Sequence, residues 1–487
     1  MQYSELGDTG LMVSKVGFGG YRISVEADTH GAALELALLS GVNLIDTSAN
    51  YTDGNSEKLI GEVMERLIKN RQIQREDVIV VTKAGYLQGQ NWDRYEAQLE
   101  SGSVFPDIWK IENGLAHSIH PVFLADQLNR SLSRLNLATV DVFLLHNPEY
   151  YFTYCQRMQI DRELAKATFY EQISSAFLYL ETEVAAGRIQ FYGISSNHFA
   201  YPSDDAEAVS LDRILDIAEK IGATHFKVIQ LPANVIESAA FTEENQSNNQ
   251  TVISAAANHH LGVLLNRPLN AMVANHLLRL STFHENPEAI EFGSAAWHRL
   301  LSDIAVDEQL LADGLADDPE VVTIAPKLLA CLQVLNPILD QMPQFESVEA
   351  WESALFGYFL PRVEYGLSVY ARSVKDPQGV DAQLSGFMNR LQHLFLALTE
   401  YYRRHSNTVR GPLLNDLLEN LPDDWQQLNG LAAVAIRLLT DSPGVSSVLV
   451  GMRDEAYVTH VTSAMANTVT APSPHVWEEI STFSCYN

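Results

Sequence analysis

The stretch NLIDTSANYTDG, residues 43–54, passes from an apolar strand into a polar turn, with a carboxylate at Asp46 and a phenol at Tyr51. An acid set directly on the end of a buried strand is the arrangement of a parallel sheet whose strand ends meet at one rim. The helical pattern HGAALELALLSG, residues 30–41, precedes it and ends in a glycine suited to a left-handed helix terminus.

The same unit recurs along the chain. Helical patterns at 56–70, 123–135, 169–187, 211–222 and 252–262 each lead into a short apolar strand: DVIVVTK, VDVFLLH, IQFYGISS, FKVIQL and VLLNRP. With VGFGG at 16–20 and VNLID these make seven strands joined by helices, which is the pattern of right-handed crossovers. An eighth unit, LNGLAAVAIRLLTDSPGV then SSVLVG, lies far downstream at 428–451. Eight such units predict a closed (β/α)8 TIM barrel of the α/β class, with an N-terminal hairpin turned at GDTG. Between strands seven and eight the rhythm turns helical, as in MNRLQHLFLALTEYYRRH, with almost no strand signal. The expected organisation is a barrel from 1–269 and 426–487, with a helical insertion at 270–425 on the C-terminal face where barrel enzymes keep their active sites.

The 487 residues include 61 acidic and 32 basic ones, a formal charge of −29 that disfavours nucleic acid and anionic lipid as partners. Cys155, Cys331 and Cys485 are too few and too scattered for a disulfide framework or a zinc site. The start has no basic-then-apolar leader and no long apolar run follows, so a cytoplasmic protein is expected. HSIH at 117–120 and NHH at 258–260 lack carboxylate or cysteine at ligand spacing, and no metal is expected. PEYYFTY at 148–154 reads either as a pocket wall or as packing.

Three strands end in titratable residues: Asp46, Lys83 and His146. Singly, each has an ordinary reading as a cap, a snorkelling lysine or a core histidine, and Tyr51 as packing. At one rim they make a proton-donating group. An ammonium beside a phenol favours the phenolate and is expected to lower the pKa of Tyr51, which suits protonation of an oxygen gaining negative charge during hydride reduction of a carbonyl.

In these contexts, DTSANY for Asp46 and Tyr51, VTKAG for Lys83 and LLHNPE for His146, the chain resembles the aldo-keto reductases. Supporting stretches are VGFGGYRI, GISSN, VIQLPANV and DSPGVSSVLVGMR. The resemblance implies an oxidoreductase that reduces an aldehyde or ketone, or runs the reverse alcohol oxidation, with NADPH and with NADH as the other option. Tyr51 would be the general acid, assisted by Lys83, Asp46 and His146. It further implies that Gly20, Tyr21, Asp46, Ser195, Ser196, Asn197 and Gln230 surround the nicotinamide end. Pro268 and Leu269 would line the pyrophosphate. Gly451, Met452 and Arg453 would receive the adenosine phosphate, with Arg453 suited to a 2′-phosphate. Asn266 stands where the family usually has an aromatic residue, and Tyr457, His460 and Val461 stand where it usually has Gln, Glu and Asn; Tyr457 either stacks on the adenine or packs. The altered adenine contacts and the insertion also fit a second reading, a cofactor-binding regulatory protein that engages a partner through its helices. The expected partner is a small carbonyl or alcohol, with oligomeric state, substrate and direction left open.

Overall fold

Asp46 closes a strand of a parallel barrel in the computed structural model, which describes residues 1–102, 104–273, 276–283, 286–316, 325–345, 347–373 and 377–481. Cys485 and the end of the second barrel segment, 482–487, lie outside the described residues. Numbered along the chain, β1 (Tyr3–Glu5) and β2 (Met12–Ser14) form the antiparallel N-terminal hairpin. Then come β3 (Val16–Gly19), β4 (Leu44–Asp46) and β5 (Ile79–Ala84). A small antiparallel sheet follows, of β6 (Tyr86–Leu87), β7 (Trp109–Glu112) and β8 (Leu115–His117), before β9 (Val140–His146). The chain continues through β10 (Ile189–Ser195), β11 (Phe226–Pro232) and β12 (Gly262–Asn266). A second hairpin, β13 (Asn270–Val273) and β14 (His276–Arg279), precedes β15 (Ser447–Val450).

The eight strands β3, β4, β5, β9, β10, β11, β12 and β15 close in that order into a parallel barrel, the (β/α)8 architecture expected from the repeating units. Its interior is filled by alternate residues of successive strands, among them Leu44, Ile79, Val81, Val142, Leu144, Val228, Leu264 and Leu449, joined by Leu6 and Val13 of the hairpin. The hairpin thus plugs the N-terminal mouth, and Asp8 N donates to His260 O just before β12 at 3.0 Å. Burying each such aliphatic side chain contributes about 1.5–3 kcal/mol, so this layer fixes the strand register. Gly193 lets β10 lie against β11, since a side chain there would collide with the Val228 carbonyl. Register places Ser195 opposite both His146 and Gln230, which sets three polar residues side by side at the C-terminal rim.

The chain divides into two compact units, 1–280 with 417–487 and 281–416. The second unit is helical. Helices Ala295–Ala316, Val348–Ala354, Leu360–Ser373 and most of Pro377–Glu419 bury Ile304, Trp351, Phe387, Leu391 and Leu398 in their own core. Arg390 grips Asp307 through two nitrogens at 2.5 and 2.7 Å, and Trp351 Nε1 donates to Thr399 Oγ1 at 2.9 Å. Two features differ from the sequence reading. The segment from 270 opens with the β13–β14 hairpin, and the β5–β9 connection carries the β6–β8 sheet; strands of two to four residues are too short for their periodicity to register. Among the described residues no helix is long and apolar enough to cross a membrane.

Candidate active site

Lys83 points its ammonium across the end of the barrel and spends all three N–H groups. It donates to Asp46 Oδ2 at 2.7 Å, to the Thr47 carbonyl at 2.8 Å and to Tyr51 Oη at 3.1 Å. Both charges are buried: Lys83 is 0% and Asp46 3% exposed. Asp46 has a second donor, Gln230 Nε2, at 2.7 Å on Oδ1. Burial pushes the Asp46 carboxyl up and the Lys83 ammonium down, and each is drawn back toward its charged form by the other. With all three ammonium N–H groups and both carboxylate oxygens hydrogen-bonded, we assign the pair as ionised; such a pair tolerates burial only when so satisfied.

Tyr51 begins the turn that follows β4. The next three residues, Thr52, Asp53 and Gly54, have φ of 45°, 57° and 84°. A β-branched residue in the left-handed region is strained, and it is held by neighbours: Thr52 Oγ1 donates to the Ile23 carbonyl at 2.6 Å, and Asp53 Oδ1 accepts from Gln90 N at 3.1 Å. The strained turn aims the phenol back over Lys83, whose Nζ lies 4.7 Å from the ring centre. Tyr21 meets the same ring edge-on at 5.0 Å between centroids.

The Tyr51 phenol is pushed well above its ordinary value near 10, first by burial and then by the Asp46 carboxylate and Tyr21. This corrects the expectation that Lys83 would lower it. The ammonium is already neutralised by Asp46, so it cannot repay the loss of water around a phenolate. Tyr51 is therefore a neutral phenol whose oxygen accepts from Lys83 and whose own O–H remains to be given.

His146 ends β9 beside this group, its ring 5.8 Å from that of Tyr51. Burial, then the charge of Lys83, holds it well below 6.5, so it is a neutral imidazole. Ser48 Oγ lies 2.9 Å from Nδ1, Tyr86 packs edge-on at 4.8 Å, and His117 Nε2 hydrogen-bonds the His146 carbonyl at 2.6 Å. Gly85 permits that last approach, since any side chain there would strike His117 and His146 O. His117 itself is sandwiched between Trp109 and Tyr150, a packing role for part of HSIH and of PEYYFTY.

The amide end of the rim is one hydrogen-bonded row. Gln230 Oε1 accepts from Ser195 Oγ and from Asn266 Nδ2, both at 3.2 Å, so Gln230 links Asp46 to β10 and β12. Asn266 Oδ1 is buried with no partner, an open acceptor at the end of the row. Ser196 and Asn197 follow β10, and Asn197 N donates to Glu149 Oε1 at 2.8 Å. Gly20 and Tyr21 follow β3, Gly20 donating its N–H to the Asp46 carbonyl at 2.8 Å. Pro268 and Leu269 follow β12 in a turn where Arg267 has φ 55°. Gly451, Met452 and Arg453 follow β15. Met452 is fully buried, whereas Tyr457 on the next helix is 51% exposed. Ser195 and Asn266 end their strands and Gln230 lies two residues inside the end of β11, while the others follow the C-terminal ends of theirs; among the described residues no side-chain hydrogen bond joins the 268–269 and 451–457 groups to the Asp46–Lys83 network.

Glu149, Ser48 and the Gln230–Asp46 bond were not singled out from sequence. Glu149 alone carried a signal, an acid three residues past a strand-end histidine.

The family model described as the aldo/keto reductase family matches residues 15–264, just over half of the chain. Among curated proteins, an NADH-specific methylglyoxal reductase of Escherichia coli is 29% identical over 155 residues, 30% of this chain and 42% of that one. A D-threo-aldose 1-dehydrogenase of Pseudomonas is 29% identical over 194 residues, 38% and 51% of the two. The chain thus spans about half the length of these relatives. The aldo-keto reductase AKR11C1 from Bacillus halodurans, in its holo form, aligns over 99% of this chain and 96% of its own, at 16% identity and a TM-score of 0.48. With strands β3 to β11 of the closed barrel and the start of β12 inside the matched stretch, the chain belongs to the aldo/keto reductase family.

Proposed function

We propose that this protein is an NADPH-dependent oxidoreductase that reduces an aldehyde or ketone, or oxidises the corresponding alcohol, with Tyr51 as general acid. The observation that carries the reading is the single ammonium of Lys83 held between Asp46, Thr47 O and Tyr51 Oη. That arrangement leaves the phenol neutral and its proton available at an oxygen seated against it. Lys83 holds Tyr51 and supplies positive charge beside it as the oxygen becomes anionic, Asp46 holds Lys83 charged, and neutral His146 orients the reacting group.

The residues fit a nicotinamide dinucleotide on two observations: the row of Ser195, Gln230 and Asn266 ends in an open acceptor, and after β15 the backbone at Gly451 is open, a Cβ there meeting nothing within 4 Å. A bound nicotinamide would supply or accept the hydride. Ser195, Ser196, Asn197 and Gln230 would hold its carboxamide, beside Gly20, Tyr21 and Asp46. Pro268 and Leu269 would lie along the pyrophosphate, and the backbone of Gly451 and Met452 with Arg453 would take the adenosine phosphate. Arg453 supports NADPH over NADH, and Tyr457 offers an exposed ring to the adenine. Purified protein with NADPH and a panel of aldehydes tests the reading: carbonyl-dependent cofactor oxidation supports it, and its absence across the panel overturns it.

A further inference from the structure

Glu149 is a buried carboxyl to which the reaction above gives no task. It is 1% exposed, three residues beyond His146, at the start of helix Tyr150–Arg157. One oxygen, Oε1, accepts from the backbone N–H of Asn197 across the gap between the ends of β9 and β10. The other, Oε2, is buried without a hydrogen-bond partner. Its own backbone N–H and the side chains of Ser196 and Asn197 draw it toward its charged form, against the larger effect of burial. The titratable groups that feel its charge include Tyr86 on β6 and Tyr201 beyond β10, both phenols.

Ser196 and Asn197 are also the residues proposed to hold the carboxamide. A charged carboxylate at this position needs donors for Oε2, and the ones within reach are those two side chains. A neutral carboxyl keeps the Asn197 N–H on Oε1 and needs one acceptor for its own O–H in place of several donors, so it draws less on the N–H and O–H groups of the two side chains. We propose that Glu149 is a positioning residue for the carboxamide end of the cofactor site, and that its neutral form is the one that binds the dinucleotide. The inference rests on the proposed cofactor reading. Burial supports a proton exchange in the working range, since it pushes this carboxyl up to about 7. By linkage, binding that occupies Ser196 and Asn197 takes up a proton, and affinity falls as pH rises through the titration.

The test is dissociation constants for NADH and NADPH between pH 6 and 8, by fluorescence titration of the wild type and Glu149→Gln. NADH is the decisive probe, because the 2′-phosphate of NADPH titrates near 6 on its own. The expected result is a wild-type NADH affinity that falls by up to about tenfold per pH unit above 7, the limit for one proton, and a Glu149→Gln affinity that is flat. Calorimetry of NADH binding to the wild type at pH 7 in two buffers of different ionisation heat should report net proton uptake, a readout that needs no variant. Equal pH profiles in wild type and variant, or no proton uptake, overturn this inference while leaving the cofactor reading standing. Failure of both dinucleotides to bind the wild type at any pH overturns the cofactor reading, and this inference with it.

Discussion

Lys83 and Tyr51 meet through one 3.1 Å hydrogen bond in which the ammonium donates to the phenol oxygen, and the same ammonium is neutralised by Asp46 at 2.7 Å. The pair is buried, so removing one partner strands the other. Lys83→Met is expected to destabilise the protein by about 3–5 kcal/mol in urea denaturation, as an uncompensated buried carboxylate does. The double variant Asp46→Asn with Lys83→Met should recover part of that loss, because neither charge then remains. A double variant as unstable as the sum of the singles would mean that the two residues are not coupled.

Tyr51 is held above its ordinary pKa near 10 and His146 well below 6.5. Between these limits neither group changes charge. At saturating cofactor and carbonyl, kcat for reduction should therefore be level from about pH 7 to 9 and should fall only above about 10, as the phenol loses its proton. A pH profile with its alkaline midpoint between 7 and 9 would mean that the phenol is activated by a lowered pKa instead.

Glu149 has its folded pKa raised from 4.5 to about 7. A raised value means that the folded state holds the proton more tightly than the unfolded chain. Its favourable contribution is present below 4.5 and is lost as pH rises to about 7, a change on the order of 3 kcal/mol. Glu149→Gln cannot lose that proton. Its stability relative to wild type should rise across this interval and level off above it, measured by denaturant melts at successive pH values.

Arg453 stands partly exposed after β15. If it meets a 2′-phosphate, Arg453→Ala should weaken NADPH by about tenfold or more, the equivalent of 1.4 kcal/mol or above, and leave NADH unchanged. Equal losses for both would place the arginine away from the phosphate.

The barrel was legible because its strands are covered on both faces and read as unbroken apolar runs, so that Asp46, Lys83 and His146 could be assigned to strand ends from composition alone. What escaped was set by contacts at short range. The left-handed run Thr52–Asp53–Gly54 that turns Tyr51 inward has no signature beyond its glycine, and the two- to four-residue strands β6 and β13 are too brief to show a period. The direction of the Tyr51 shift is hidden in the sequence, which displays the neighbouring charge but not the loss of water. Gln230 could be placed on a strand end, but not its bond to Asp46, which joins residues 184 positions apart.

The most direct measurement is single-turnover oxidation of bound NADPH by a good aldehyde substrate, in wild type and in Tyr51→Phe, with the cofactor dissociation constant determined for each. The expected result is a rate lower by at least about 10²-fold in the variant at unchanged cofactor affinity, since the ring remains and only the proton is lost. An undiminished rate in Tyr51→Phe would contradict the assignment of Tyr51 as the acid.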